Sequence, residues 1–214
     1  DLLPFFRMLG VRGCLAIEAV CMDMSRSYIP AFKNGCKNAK IVFDRFHIVK
    51  HLNEALNKLR KSEKLKLSDE EKEMWRYSQR ALGKNKENLT PKQMECLEWL
   101  LEKSPAIATA YQMKSQFSNI WKVRTLRGAK ISLTRWLQRA KKLQHKSFQD
   151  FCEMVERHRR GILNYHYYPL TNGPQEGLNN KINVIRRRAY GFGDVHRYSL
   201  KILQAFAKKK VNHT

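Results

Sequence analysis

Two short apolar runs near the start of the chain have the pattern of buried strands. Residues 17–23 and 39–43 are largely apolar, and each run leads into an acid, Asp23 or Asp44. A helix between two strands is the usual right-handed crossover of a parallel pair. Helical patterns cover about residues 2–9, 25–38 and 47–59. This order predicts an α/β sheet.

Small and polar residues mark the predicted helix ends in this first part of the chain. Gly10 and Gly13 predict the end of the first helix and the turn after it. Ser25 predicts the N-cap of the second helix, because a serine hydroxyl can accept a hydrogen bond from the helix backbone. The second helix is therefore expected to start shortly after Asp23.

The middle of the chain, residues 61–168, carries helical patterns and no convincing strand. A capping box runs from Ser68 to Glu71, and Thr90 and Ser104 are each followed by a proline, the usual start of a helix. A later helix has two stripes, an apolar one for the core and a basic one for solvent or DNA. The apolar stripe is Leu133, Trp136, Leu137 and Ala140, and the basic stripe is Arg135, Arg139, Lys142 and Lys146.

Two more helices are predicted near the end, at about residues 174–189 and 195–208. Leu178, Ile182 and Ile185 share one face of the first, which we expect to be buried. Another face of this helix is polar. It carries Glu176, Asn180, Asn183 and Arg187 at steps of four, three and four.

The charge balance points to a polyanionic partner. Lysine and arginine number 42 against 19 acids, a net charge of +23, and residues 103–149 contain no acid. Such an excess is typical of proteins that bind nucleic acid. A hydrophobic content of 43% is too high for a disordered basic tail, so a folded protein is predicted.

The cysteines and the hydropathy limit the compartment. Five cysteines without a C-x-x-C spacing favour neither a disulfide framework nor a cysteine zinc site, which predicts a reducing compartment. No run approaches the roughly 20 apolar residues of a membrane span. We therefore expect a cytoplasmic protein and no membrane partner.

Asp23 and Glu176 are the candidate catalytic and metal-binding acids. Paired carboxylates can hold two hard cations about 4 Å apart, which promote in-line attack on a phosphodiester. Two simpler roles remain open: Asp23 as the N-cap of the next helix, and Glu176 as a favourable charge at a helix N-terminus. His47 and His51 have the i, i+4 spacing of zinc-binding helices, but the glutamate of the H-E-x-x-H motif is missing, so an ordinary surface or core histidine pair is predicted.

Three motifs together resemble the DDE transposases of bacterial insertion sequences, specifically the ISL-three family. They are M-D-M-S-x-x-Y at residues 22–28, I-V-F-D-R-F-H-I-V-K at residues 41–50, and N-G-x-x-E-G-x-N-x-x-I-x-x-I-x-R-x-A-Y-G-F at residues 172–192. The resemblance covers nearly the whole chain. It implies a transposase that cleaves the ends of its element and joins 3′-hydroxyls to target DNA, with two Mg²⁺ or Mn²⁺ ions.

The resemblance also implies a domain plan. The fold would be α/β, mostly α: a partial ribonuclease-H-like core at residues 1–60, an all-helical insertion at 61–168, and helices at 169–214 that complete the core. Asp23 would be the second catalytic acid and Glu176 the third. The first is expected upstream, which would leave the catalytic site of this chain incomplete.

Further residues receive supporting or DNA-binding roles. Asp44, His47 and Asn180 are expected to support the catalytic acids without binding the reacting groups. Double-stranded DNA, as element ends and target, is the expected partner, which implies association with the bacterial nucleoid. The full-length protein is expected to form a homo-oligomer. The alternative function is a noncatalytic DNA-binding fragment that regulates transposition. The predicted DNA contacts are Lys181, Arg186, Arg187, Arg188, Arg135, Arg139, Lys142 and Lys146.

Overall fold

The computed structural model describes residues 2–63, 67–188 and 193–207. Its contacts divide the chain into two compact units: a large unit, Asp1–Leu170, and a small unit, Thr171–Thr214. The large unit holds a two-stranded sheet and most of the helices. Its elements are α1 Leu3–Ala16, β1 Ala19–Met22, α2 Tyr28–Gly35, β2 Lys40–Phe43, α3 Arg45–Ser62, α4 Asp69–Gly83, α5 Pro91–Lys103, α6 Pro105–Ser118, α7 Leu126–Ala140 and α8 Lys146–Leu163.

The predicted β-α-β unit is confirmed. Strands β1 and β2 pair in parallel, with Ala19 opposite Lys40 and Met22 opposite Phe43, and α2 lies between them in the chain. Both strands begin slightly later than predicted, β1 at Ala19 because α1 continues to Ala16, and β2 at Lys40. The side chains of Met22 and Phe43 enter the core at the carboxyl end of the pair.

The predicted boundaries near Gly10, Gly13 and Ser25 need correction. Gly10 has a φ of +65° and interrupts the helical geometry, as expected for glycine, but helix α1 resumes after it and includes Gly13. The N-cap of α2 is Ser27, and its side chain makes no capping hydrogen bond. Ser25 lies in the preceding turn, where its backbone N–H donates to Asp23.

Helices α4, α5 and α6 begin where their capping residues predicted. Ser68 and Thr90 form complete capping boxes, and the Ser104 hydroxyl accepts from the N–H of Ile107 at 3.2 Å. Helices α3 to α8 and both strands enclose one apolar core. Short 3₁₀ turns join some of them, at Lys86–Asn88, Asn119–Lys122 and Asn164–His166. None of the helices described is both long and apolar enough to cross a bilayer.

Helix α7 confirms the apolar stripe and shortens the basic one. Leu133, Trp136, Leu137 and Ala140 are all buried. The helix ends at Ala140, however, so a single basic stripe through Lys142 and Lys146 is wrong. Lys142 lies in the turn that follows, and Lys146 begins α8, because His145 caps a new helix with its side chain.

The small unit contains helices α9 Gly173–Arg188 and α10 Val195–Phe206. The predicted end of the first at Ala189 and of the second at Lys208 lie outside the described residues. The prediction that Leu178, Ile182 and Ile185 form a buried face is wrong: Leu178 is exposed, and no described residue of α9 is buried. Two helices side by side cover only part of each other's surface, so within this unit apolar residues stay partly exposed.

Candidate active site

Asp23 follows β1 directly, at the carboxyl end of the parallel pair. Its side chain is half-buried, and its Oδ1 accepts a hydrogen bond from the backbone N–H of Ser25 at 3.0 Å. The other oxygen, Oδ2, accepts none from the described residues. Asp23 therefore orders the turn after β1, and the simpler role as the N-cap of α2 is wrong, because Ser27 takes that position.

Asp44 lies beside Asp23's strand at the same edge of the sheet. Its backbone N–H donates to the carbonyl of Met22 at 2.9 Å, which extends the ladder by one residue. Its carboxylate is only 3% exposed and caps α3, where Oδ2 accepts from the His47 N–H at 3.4 Å. The same oxygen lies 2.9 Å from Nδ1 of His47, and this pairing orients the imidazole.

The surroundings of this edge favour neutral thiols. Burial raises the pKa of Cys21 to about 11, and the negative charge of Asp44 adds to the effect. A thiol with such a pKa stays protonated at neutral pH and is a poor metal ligand or nucleophile. The candidate reactive groups at this edge are therefore the carboxylates and not the thiol of Cys21.

His47 and His51 have separate partners, although they lie one turn apart on α3. His47 pairs with Asp44, whereas Nδ1 of His51 lies 3.4 Å from Glu54. Each imidazole is oriented by a carboxylate of its own helix or its cap. This arrangement agrees with the interpretation of ordinary helix histidines.

In the small unit, Glu176 lies in the first turn of α9 and is exposed. Its backbone N–H donates to the carbonyl of Asn172 at 2.9 Å, so it already belongs to the helix. Asn180, Asn183 and Arg187 are exposed along the same helix, as their spacing predicted. The end of the third motif, residues 189–192, lies outside the described residues.

The predicted DNA-contacting residues differ in their environments. Lys181 donates to the carbonyl of Ala205 at 2.6 Å and lies over the ring of Phe206 at 4.3 Å, so part of its role is to join α9 to α10. Arg186, Arg187 and Arg188 are exposed in the last turn of α9. There they also interact favourably with the helix dipole.

The predicted contacts in the large unit are exposed and partly engaged. Arg139 donates to Oε1 of Gln116 at 2.7 Å, and Lys146 pairs with Asp150 at 2.8 Å. That pairing raises the pKa of Lys146. Arg135 and Lys142 project into solvent.

Two arginines of α8 that no motif marked line surface cavities. Arg157 and Arg160 line cavities beside β2, together with Lys40. The available sequence signal is the scarcity of acids after Arg157, where Glu176 and Asp194 are the only two. That signal indicates a basic segment, but it does not show that Lys40, which is distant in the chain, lines the same cavities.

Comparisons with known proteins agree with the motifs. A family model described as a transposase, of the ISL-three group of DDE enzymes, matches residues 1–202. The chain is 29% identical over 205 residues to the transposase for insertion sequence element IS1001 of Bordetella parapertussis, covering 94% of this chain and 50% of that protein. No solved structure matches at a significant level.

Other relatives extend the comparison. The transposase for insertion sequence element IS1557 of Mycobacterium tuberculosis is 26% identical over 211 residues, 88% of this chain and 47% of that protein. A Lactococcus lactis protein named ATP-dependent protease is 31% identical over 122 residues, but only 36% of its length is covered. The chain spans about half the length of the transposases it matches. With the family model covering most of its residues, the chain belongs to the DDE transposases of the ISL-three family.

Proposed function

We propose that this chain is part of the catalytic region of an insertion-sequence transposase that cleaves and joins DNA with two divalent metal ions. The observation that carries the proposal is the position of Asp23 directly after a parallel strand. The chain that carries this acid matches the transposase family over residues 1–202. Acids at the carboxyl ends of parallel strands are well placed for chemistry, because substrates bind outside this edge of α/β sheets. The partial ribonuclease-H-like core with a helical insertion is part of the same proposal.

The donors at this edge fit Mg²⁺ or Mn²⁺. Asp23 offers a half-buried carboxylate with Oδ2 available, and hard divalent cations prefer such oxygen ligands. We assign Glu176 as the other metal-binding acid of this chain, on its place in the third motif. When bound, the two ions stabilise the charge that develops in in-line attack on a phosphodiester.

The remaining residues hold and orient. The hydrogen bond from Ser25 fixes the Asp23 carboxylate, and the Asp44–His47 pair fixes the loop after β2. We assign Asn180 to the support of Glu176, because both lie on one face of α9. The exposed arginines at the end of α9 are proposed to bind DNA phosphates. The substrate would be the DNA of the element ends and of the target, in the nucleoid.

The test is Mg²⁺-dependent cleavage and strand transfer on DNA carrying the element ends. Asp23→Asn and Glu176→Gln are made in the longest polypeptide of the same reading frame, and the unaltered chain of 214 residues is assayed beside it. A bound metal ion stabilises the charge of the transition state by several kcal/mol, so its loss should lower the cleavage rate about a thousandfold. DNA binding should persist in both variants.

Matched controls come from exposed acids of α4. Asp69→Asn and Glu70→Gln make the same chemical changes outside the three motifs, and the activity of these variants should equal that of the unaltered protein. Full activity of Asp23→Asn and Glu176→Gln would refute the metal assignment. It would then favour the noncatalytic, DNA-binding alternative.

A further inference from the structure

Two adjoining cavities lie on the outer side of β2 in the large unit. They have volumes of about 470 Å³ and about 850 Å³, and both are lined by Lys40, Arg157, Arg160 and Asn164. Asn164 closes the edge of the strand, because its Nδ2 donates to the carbonyl of Ile41 at 2.8 Å. We call these two cavities the β2 groove.

The β2 groove is strongly basic. Lys33 and Lys37 of α2 line one cavity, in addition to the three basic residues shared by both. These five side chains are exposed, and none forms an ion pair with an acid among the described residues. The acid that lines the groove, Glu156, already pairs with Lys141 and Arg159. The positive charge along the groove is therefore not neutralised by the protein.

His158 also lines the groove and is affected by its positive charges. His158 packs edge-on against Phe43, with the ring centres 4.8 Å apart, and forms part of the lining. Burial lowers its pKa, and the charges of Arg157 and Lys33 lower it further. A cation is thus disfavoured at this position, whereas an anion in the groove would be attracted.

The aromatic side chains at one end of the groove favour an unpaired strand over a duplex. Tyr167 and Tyr168 line the second cavity, and Tyr167 is 66% exposed. The backbone N–H groups of both donate to the carbonyl of Asn164 at 3.0 Å, which fixes this turn. Exposed aromatic rings beside a cationic groove stack on bases, and base faces are accessible only in a single strand.

We infer that the β2 groove binds a segment of single-stranded DNA, with its phosphates along Lys40, Arg157 and Arg160 and a base stacked on Tyr167. The inference rests on the proposed function, because cleavage of DNA ends supplies strands with unpaired bases. The basic residues of the groove are not among the DNA contacts predicted from the sequence. Solvated charge is the simpler explanation, and the following experiment separates the two.

The experiment measures binding of a fluorescent oligothymidine to the chain by anisotropy, in the absence of divalent metal. The groove variant combines Lys40→Gln, Arg157→Gln and Arg160→Gln. Its matched control, Arg76→Gln, Arg80→Gln and Lys86→Gln, removes the same charge from exposed positions on α4 and the following turn. Thermal unfolding checks that both variants are folded.

The groove variant should bind at least about tenfold more weakly at low salt, and the slope of log affinity against log salt should fall by about 2, since three phosphate contacts are lost. The control variant should change both quantities far less. Equal losses in the two variants would overturn the inference, because net charge alone would then account for binding.

The stacking contact has its own test. Tyr167→Ala should weaken binding of the oligothymidine by about fivefold to a hundredfold and leave binding of a duplex of equal length unchanged. An unchanged affinity for the single strand would overturn the assignment of the groove to unpaired DNA. Equal weakening for both substrates would do so as well.

Failure here is distinguishable from failure of the proposed function. The groove is tested by affinity without metal, whereas Asp23 and Glu176 are tested by cleavage with Mg²⁺. Active Asp23→Asn and Glu176→Gln variants would refute the chemistry and leave the groove affinities as measured. A groove variant that binds normally would refute the groove and leave the loss of cleavage unaffected.

Discussion

The two units of this chain differ in how far their side chains are buried. In the large unit, helices α3 to α8 surround a core that includes fully enclosed side chains such as Phe117 and Trp136. In the small unit, no described residue of α9 or α10 is buried, and Leu203 is 66% exposed. The large unit therefore has a buried apolar core, whereas the described side chains of α9 and α10 remain at least partly exposed to solvent.

This difference places the residues that stabilise the fold and the proposed metal ligand Glu176 in different units. Burial of large side chains provides most of the free energy of folding, so substitutions in the large unit should decide whether the chain folds. Glu176 lies on a helix that contributes little burial, whereas Asp23 follows a strand of the large unit. Three matched pairs of substitutions, one from each unit, test this contrast.

The largest contrast is expected between Trp136→Ala and Leu203→Ala. Trp136 is 1% exposed, contacts the rings of Phe117 and Phe151, and donates from Nε1 to the carbonyl of Met113 at 2.8 Å. Its removal should lower the free energy of unfolding by about 3–5 kcal/mol, whereas Leu203→Ala should change it by less than about 0.5 kcal/mol. Denaturant titration followed by circular dichroism measures both. Similar losses would mean that α10 is as important to folding as the core.

The second pair is Lys114→Met and Lys181→Met, two lysines that donate to carbonyls near helix ends. Lys114 is 3% exposed and donates to the carbonyl of Leu82 and, at 2.9 Å, to that of Lys84, at the end of α4. Its replacement leaves the buried carbonyl of Leu82 without this donor and should cost about 1–3 kcal/mol of unfolding free energy. The exposed contact of Lys181 with Ala205 should contribute less than about 0.5 kcal/mol. Equal costs would contradict the contrast.

Lys114 also gives the large unit a pH dependence. Burial lowers its pKa to about 8 from an ordinary value of 10.5. Between these values the unfolded chain holds a proton that the folded chain has released, so stability from this group rises as pH rises from about 8. Denaturant titrations at mildly alkaline pH values should show this rise in the unaltered chain relative to Lys114→Met. Parallel pH profiles for the two proteins would exclude it.

The smallest contrast is expected between Gly161→Ala and Gly177→Ala, both inside helices. A Cβ at Gly161 would lie 2.5 Å from the ring of Phe43, since α8 approaches β2 closely there. The clash costs about 1–3 kcal/mol, against about 1 kcal/mol gained from helix propensity, so a modest net loss of stability is expected. At Gly177 a Cβ meets nothing within 4 Å, and the change should be neutral or stabilising. Thermal unfolding compares the two, and a more stable Gly161→Ala would show that Phe43 can move at no cost.

Local signals were reliable where the structure depends on neighbouring residues. The capping boxes at Ser68 and Thr90 start their helices, because an N-cap needs only a side chain and the backbone three residues later. The order of strand, helix and strand gave the parallel pair for a similar reason. The predicted basic stripe through Lys146 was wrong, because α7 ends at Ala140 and His145 caps a new helix. A helical spacing has no meaning across the break between two helices.

Burial was predicted less well than helicity in the small unit. The spacing of Leu178, Ile182 and Ile185 is that of a helix face, and α9 is a helix. Whether such a face is covered depends on what packs against it, which the spacing does not contain. For the candidate site, the motifs provided Asp23 and Glu176, and the structure supplied the environment of Asp23 and the Asp44–His47 pair.

The sequence alone determined the family, the caps that start α4, α5 and α6, the parallel strand order and the identity of the candidate acids. These depend on residue type and short spacing, which are properties of the chain as written. The tertiary structure decided which lysines and arginines share a surface. Lys40 on β2 and Arg157 on α8 are distant in the chain and line the same groove, because the packing of α8 against the sheet brings them together.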